Sequence, residues 1–264
     1  VGSNAGNSLT TGSYNTCLGS EAFESATTAE ASVAIGYQAL EQVTTGDYNV
    51  GVGHRVLESL TAGEFNVAVG RRALASITDD NNNTAFGNTA LASCTTSNNT
   101  AIGSNALQNQ TSASSNTAVG KDAGFATTTG IENVFVGKDA GIANTTGEYN
   151  SVVGVDSGQA ITTGDYNSGI GKGVLYSVTT SNHNTSVGGW STWQVTTGDG
   201  NTGLGYWAAR NITTGSYNIG LGYDSQASSA TASNECTIGA ANGSTGEITK
   251  FRVPGCNFVI KDST

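Results

Sequence analysis

The residues able to do chemistry are few and widely spaced. Of 264 residues, 20 are acidic, 10 are Lys or Arg, 2 are His and 4 are Cys. Asp47 and Glu64, and again Glu148 and Asp165, recur at a spacing of 17 residues. If the chain coils with that period, each pair stands several ångströms apart. Such a pair either shares a cation through hard oxygen ligands or forms a solvated edge. The glycine-aspartate calcium nonapeptide is absent. Cys17, Cys94, Cys236 and Cys256 lack the paired spacing of a zinc site, so they read as thiols, with Cys236 and Cys256 close enough in sequence to meet. His54 and His183 have no ligand partners in register and read as surface residues. Trp190, Trp193 and Trp207 cluster with Tyr206 and Tyr223. They either stack on sugar rings or pack on a neighbouring coil. No Ser/His/Asp arrangement can be built. The expectation is a protein that is not an enzyme and uses no cofactor.

What positions these residues is a repeat. A Gly closing an Asn-x-x-x-Gly unit falls at 2, 19, 36, 53, 70, 87, 103, 120, 137, 154, 171, 188, 205, 222 and 239. Thirteen of the fourteen intervals are 17 residues and one, from Gly87 to Gly103, is 16. Each repeat is one coil of a solenoid, which cannot bury its apolar face without its neighbours. The expected fold is therefore mainly β: a parallel β-solenoid or β-roll of about fourteen coils over residues 1–239. At about 4.8 Å per coil, the rod would be roughly 65–70 Å long.

The columns carry physical meaning. Asn stands four before the Gly at 15, 49, 66, 83, 99, 116, 133, 150, 167, 184, 201 and 218; Ser32 and Glu235 are the exceptions. Stacked coils would set Asn15, Asn49, Asn66, Asn83, Asn99, Asn116, Asn133, Asn150, Asn167, Asn184, Asn201 and Asn218 in a ladder of amides bonding their neighbours. The next three residues read as a short strand. Its first residue is mostly Val or Thr and its third is always apolar, so these two share a face, expected to be the inside of the coil. The second, such as Ala34, Gly51, Ala68 and Ala101, is then expected to face outward. A charge-free stripe of small residues along the whole rod suggests close packing against another copy of the chain.

Beyond the Gly, triplets such as Ala39, Leu40, Val43 and Ala73, Leu74, Ile77 have helical spacing. They predict a helical turn, with a second strand as the alternative. Thr-Thr-Gly then closes the coil, its Gly supplying positive φ. Aromatics precede the Asn at Tyr14, Tyr48, Phe65, Tyr149, Tyr166 and Tyr217, where they are expected to pack on adjacent coils or chains. The period stops at Ala240, and residues 240–264 read as a β-hairpin cap or transition segment turning at Pro254-Gly255.

Net charge is −10, which makes nucleic acid an unsuitable partner. No apolar run approaches the ~18 residues of a membrane span, so no membrane insertion is expected. The chain has no Met and starts inside a repeat, as a fragment of a longer chain would.

Units such as Asn116-Thr-Ala-Val-Gly120, Asn99-Thr-Ala-Ile-Gly103 and Ser32-Val-Ala-Ile-Gly36 resemble the repeats of trimeric autotransporter adhesin heads. The longer coil, with its closing Phe251-Arg-Val-Pro-Gly-Cys-Asn-Phe-Val-Ile-Lys-Asp262, more closely resembles repeat-rich tail fibres of marine bacteriophages and large algal viruses. That resemblance implies the shaft or distal rod of a homotrimeric fibre on a virion surface, meeting a host receptor or glycan. A bacterial trimeric adhesin head and an ice-binding β-solenoid are the alternatives. Ice-binding faces alternate Thr-x-Thr, whereas the Thr pairs here are adjacent.

Overall fold

The computed structural model describes residues 2–239, which form a stack of coils with no helix. The segment 240–264, and with it the expected cap and Cys256, lies outside the described residues. Each coil contributes one three-residue strand, from β1 (Thr16–Leu18) to β14 (Cys236–Ile238). All fourteen join one parallel sheet in sequence order. Pairing is in register throughout: Cys17 faces Ala34, Ala34 faces Gly51, and across the 16-residue coil Ala85 faces Ala101. Thirteen spacings of about 4.8 Å make the rod roughly 62 Å long.

The stretch after each strand is not a helical turn. Its residues alternate between right- and left-handed backbone, as at Gln38 (φ 53°) and Leu40 (φ 51°) or Arg72 (φ 56°) and Leu74 (φ 51°). Alternation sends successive N–H groups in opposite directions along the rod. Gln38 donates back to the Ser20 carbonyl (3.0 Å) and Leu40 donates forward to that of Val56 (3.0 Å). The hydrogen bonds that a helix would close within itself thus join coil to coil. The helical spacing of Ala39, Leu40 and Val43 marks the three residues that point inward; all are fully buried.

Glycine is required where the strand ends. Gly36 has φ 132° and Gly53 has φ 148°, a region that side chains rarely enter. Here each α-carbon also lies against the Gly carbonyl of the next coil. The Gly of Thr-Thr-Gly is different from expectation, because it does not take positive φ. A methyl group at Gly46 would instead meet the Ala62 carbonyl carbon at 3.1 Å and Asn49 Nδ2 at 3.3 Å. The left-handed residue of that turn is the one before the Asn, such as Tyr48 (φ 57°) or Tyr166 (φ 56°).

The strand faces are the reverse of those expected. The middle residue points in and its neighbours point out: Ala34, Ala68, Ala85, Ala101 and Ala118 are all at most 1% exposed. The coil is so thin that a Leu from the far side, such as Leu40 or Leu74, fills most of the interior. Only Ala or Gly fits opposite it. Where the far side shrinks, the strand residue grows. Gly124 and Gly141 replace the inward Leu, and the Phe135 ring occupies the vacated space, 2.8 Å from where a Gly124 methyl would sit. Phe135 is fully buried.

Exchange of volume across the coil makes a prediction. Phe135→Ala should cost about 3–5 kcal/mol of stability by opening a cavity. Adding Gly124→Leu and Gly141→Leu should recover most of that, since Leu107 and Leu175 hold the same left-handed position in other coils (φ 50° and 54°). Thermal unfolding followed by circular dichroism reads both steps.

Candidate interaction surface

Turning the strand over places its larger residues on the surface. The third strand residue is apolar in every coil, and many are widely exposed: Leu18 49%, Phe86 56%, Ile170 56%, Leu204 51%. Val67 and Ile219, first residues of their strands, are also exposed. Neither outward column carries a charged residue in any of the fourteen strands. Because pairing never slips, these side chains form two continuous rows on one face. The first row is Thr or Ser in eight strands; at on the order of 50 Å² per residue, the wholly apolar third row alone offers about 700 Å² per chain, close to the ~800 Å² per partner of a standard interface. Isolated chains rarely leave such a patch open to water.

Behind this face runs the Asn column. Asn49, Asn66, Asn83, Asn99, Asn116, Asn133, Asn150, Asn167, Asn184, Asn201 and Asn218 are buried, and Asn15 at the first coil is half-buried. Each Oδ1 accepts the backbone N–H of the matching residue one coil on, as from Asn66 to Asn49 (3.0 Å) and from Asn150 to Asn133 (2.9 Å). Each Nδ2 in most coils donates to a turn carbonyl of the next coil, as Asn49 to Gly63 (2.8 Å) and Asn133 to Gly147 (2.8 Å). The ladder therefore runs mainly from side chain to backbone. Direct amide-to-amide bonds occur in part of it, as from Asn184 to Asn167 (3.0 Å). Ser32 takes one part of the role, its Oγ accepting from the Asn49 N–H (3.0 Å).

Of Asp47, Glu64, Glu148 and Asp165, the two Asp carboxylates bond backbone of the preceding coil, and the two Glu residues enter the same pattern through their backbone N–H. Asp47 Oδ1 accepts the Glu30 N–H (2.7 Å), and Asp165 Oδ1 accepts the Glu148 N–H (2.8 Å). In the same column Asn81 accepts from Glu64 (2.6 Å) and Asn182 from Asp165 (2.8 Å). The position is a polar cap for the preceding coil, served alike by Asp and Asn. A different trio brings its carboxylates together: ligand oxygens of Glu21, Glu24 and Glu41 lie within 4.8 Å of one another. The coil register carried this trio, because Glu24 and Glu41 share a column. Gln38 donates to Glu21 (2.8 Å) and Asn4 to Glu24 (3.1 Å), which relieves part of the repulsion. Burial first, then Glu21, Glu24 and Glu58, hold the Glu41 carboxyl above its ordinary range.

The aromatic column stacks coil on coil while staying partly exposed. Tyr48 lies on Phe65 (centroids 5.1 Å, 3° apart) and Tyr149 on Tyr166 (4.7 Å), with His183 continuing the stack (5.2 Å). Tyr14 and Tyr217, in the same column, are widely exposed and stack on no ring among the described residues. The three Trp fall into two groups. Trp190 lies over Gly173, edge-to-face with Trp193 (5.7 Å), with Lys172 5.7 Å above its ring. Trp207 packs with Tyr206 (4.7 Å) under Arg210 (4.7 Å), whose Nε pairs with Asp224 (2.8 Å). Cys94 is buried, and burial raises its thiol pKa. The first Thr of each turn pair donates its hydroxyl to the next coil, as Thr145 does to the Thr162 carbonyl (3.0 Å). That column is therefore bound within the rod.

Compared with known proteins, the chain matches no family model, no curated sequence and no solved structure.

Two stability predictions follow from the buried polar groups. Asn150→Ala strands the Asn167 N–H and the Gly164 carbonyl, and should cost about 2–4 kcal/mol. Asn15→Ala, at a half-buried end coil, should cost clearly less; denaturant unfolding of both variants tests the difference. Glu41 is raised in the folded state, so its charge opposes folding once pH climbs through the folded pKa. Below the ordinary carboxylate range it is neutral in both states and opposes nothing. Glu41→Gln should therefore raise Tm at neutral pH, with the gain fading as pH falls into the acid range.

Proposed function

We propose that this chain is a structural and adhesive rod: the shaft or distal part of a homotrimeric viral tail fibre, working at the virion surface in host attachment. The observation that carries the reading is the charge-free strand face, with its wholly apolar third-residue row, that runs the full length of the rod. Three such faces turned toward a common axis would bury one another and convert three slender solenoids into one stiff fibre. This replaces the Ala/Gly stripe as the packing surface, since that stripe fills each coil's interior. The rod's work is mechanical, setting length and rigidity and displaying its outer columns to a host receptor or glycan. A trimeric bacterial adhesin head would use the same face in the same way.

Ice binding draws on one observation of its own. The outward first strand residue is Thr in several coils, including Thr100, Thr117 and Thr202, with an aliphatic residue two further on. The aliphatic row outweighs it, because a wholly apolar column suits protein packing better than ordered water.

Sedimentation equilibrium tests the assembly. The expected mass is near three times 26.6 kDa, roughly 80 kDa. Ile170→Asp with Leu204→Asp should shift it toward a monomer without unfolding the coils, as judged by circular dichroism. A monomeric parent protein overturns the fibre reading, and thermal hysteresis in its solutions would then favour ice.

A further inference from the structure

One interior column changes character in mid-rod. The residue that backs the Thr-Thr-Gly turn is Val43, Leu60 and Ile77 in early coils and Ile161 and Val178 in later ones, all fully buried. Between them the same position holds Cys94, Gln110, Thr127 and Asn144, also fully buried. A polar run inside an apolar column is costly unless each group is bonded.

The first two are bonded. Cys94 Sγ meets the Thr96 carbonyl (3.3 Å). Gln110 donates to the Ala113 carbonyl (2.7 Å) and accepts from Asn116 Nδ2 (3.2 Å). The next two are not: Thr127 Oγ1 and Asn144 Oδ1 are buried without a partner. Beside them run Asn133 and Asn150, at the same six-residue offset that joins Gln110 to Asn116. Asn133 Nδ2 donates to the Gly147 carbonyl (2.8 Å), which Asn144 Nδ2 also bonds (3.1 Å). Asn150 Nδ2 donates to Gly164 (2.8 Å). Each of these two ladder amides carries a second N–H.

We propose that this stretch of the interior binds ordered water, which is the partner of Thr127 Oγ1 and Asn144 Oδ1. The chemistry selects water among small ligands. Asn144 Oδ1 needs a donor, while the spare N–H groups of Asn133 and Asn150 need an acceptor. Water supplies both, whereas a cation would meet the N–H groups and a hydrocarbon would satisfy nothing. The proposal concerns the coil interior and is independent of how chains assemble.

A crystal structure of the protein at about 1.5 Å tests it. The expected result is a water within hydrogen-bonding distance of Asn144 Oδ1 and of Thr127 Oγ1, whether one molecule bridges them or two adjoin. An empty site, or both atoms turned onto protein groups, overturns the proposal. Thr127→Val gives a second readout, because it keeps the shape and removes the hydroxyl. With water bound, Tm should fall by about 2–4 °C. An unchanged or raised Tm overturns the proposal, since losing a dry, unpartnered hydroxyl costs nothing.

Discussion

Most coils are registered on the next by one buried asparagine. Its oxygen takes the N–H of the following coil, and its amide nitrogen takes a turn carbonyl of that coil. Two hydrogen bonds from one side chain thus tie the strand and the turn of a neighbour to a common point. A slip of one residue would break both at once and bury the groups unpaired. That constraint holds the strands in register. The single 16-residue coil obeys it too: the turn there lacks its Gly, and the Thr96 carbonyl stands in as acceptor for Asn83 (2.8 Å).

Register has a consequence for side chains. Residues in one column stand over one another for the whole rod, so each column has one environment and one chemistry. Aromatics before the Asn form stacks, the Asp, Asn and Ser column caps the coil below, and the first Thr of the turn donates forward. Columns that would look like candidate sites in a globular protein are here coil-to-coil contacts. Asp47 and Asp165 show this directly, each accepting a backbone N–H rather than awaiting a cation.

Much of the architecture was legible in the columns alone. The Gly spacing yields coil number and strand order, and the Asn column lies where the period places it. Which strand face is buried was not legible, for a physical reason. Alternation shows that two faces differ, and apolar is usually read as inside. In this coil the interior is set by volume: Leu40 or Leu74 fills it, so the strand can add only Ala or Gly. The turn is illegible in the sequence for a related reason. Inward residues at helical spacing arise equally from backbone that alternates in handedness, and no residue type marks that alternation when Leu itself takes positive φ.

The surface now has to account for what the interior does not use. Val, Ile, Leu and Phe form a continuous outward row in a chain whose hydrophobic content is only 36%. A sequence under pressure only to fold as a lone solenoid would place its few large apolar residues inside and polar residues on the strand face, as one-sided sheets do. This chain keeps Leu40, Leu74 and their equivalents inside, yet also carries an apolar third strand residue on the outward face of all fourteen coils. The small strand residues leave each coil narrow, with one large side chain filling most of it, while the third strand residues put apolar area on the surface. Both halves of that distribution make sense if the hydrophobic core is shared among copies, with each solenoid supplying one wall. A rod of this length with so thin an interior then gains its rigidity at the level of the assembly rather than the chain.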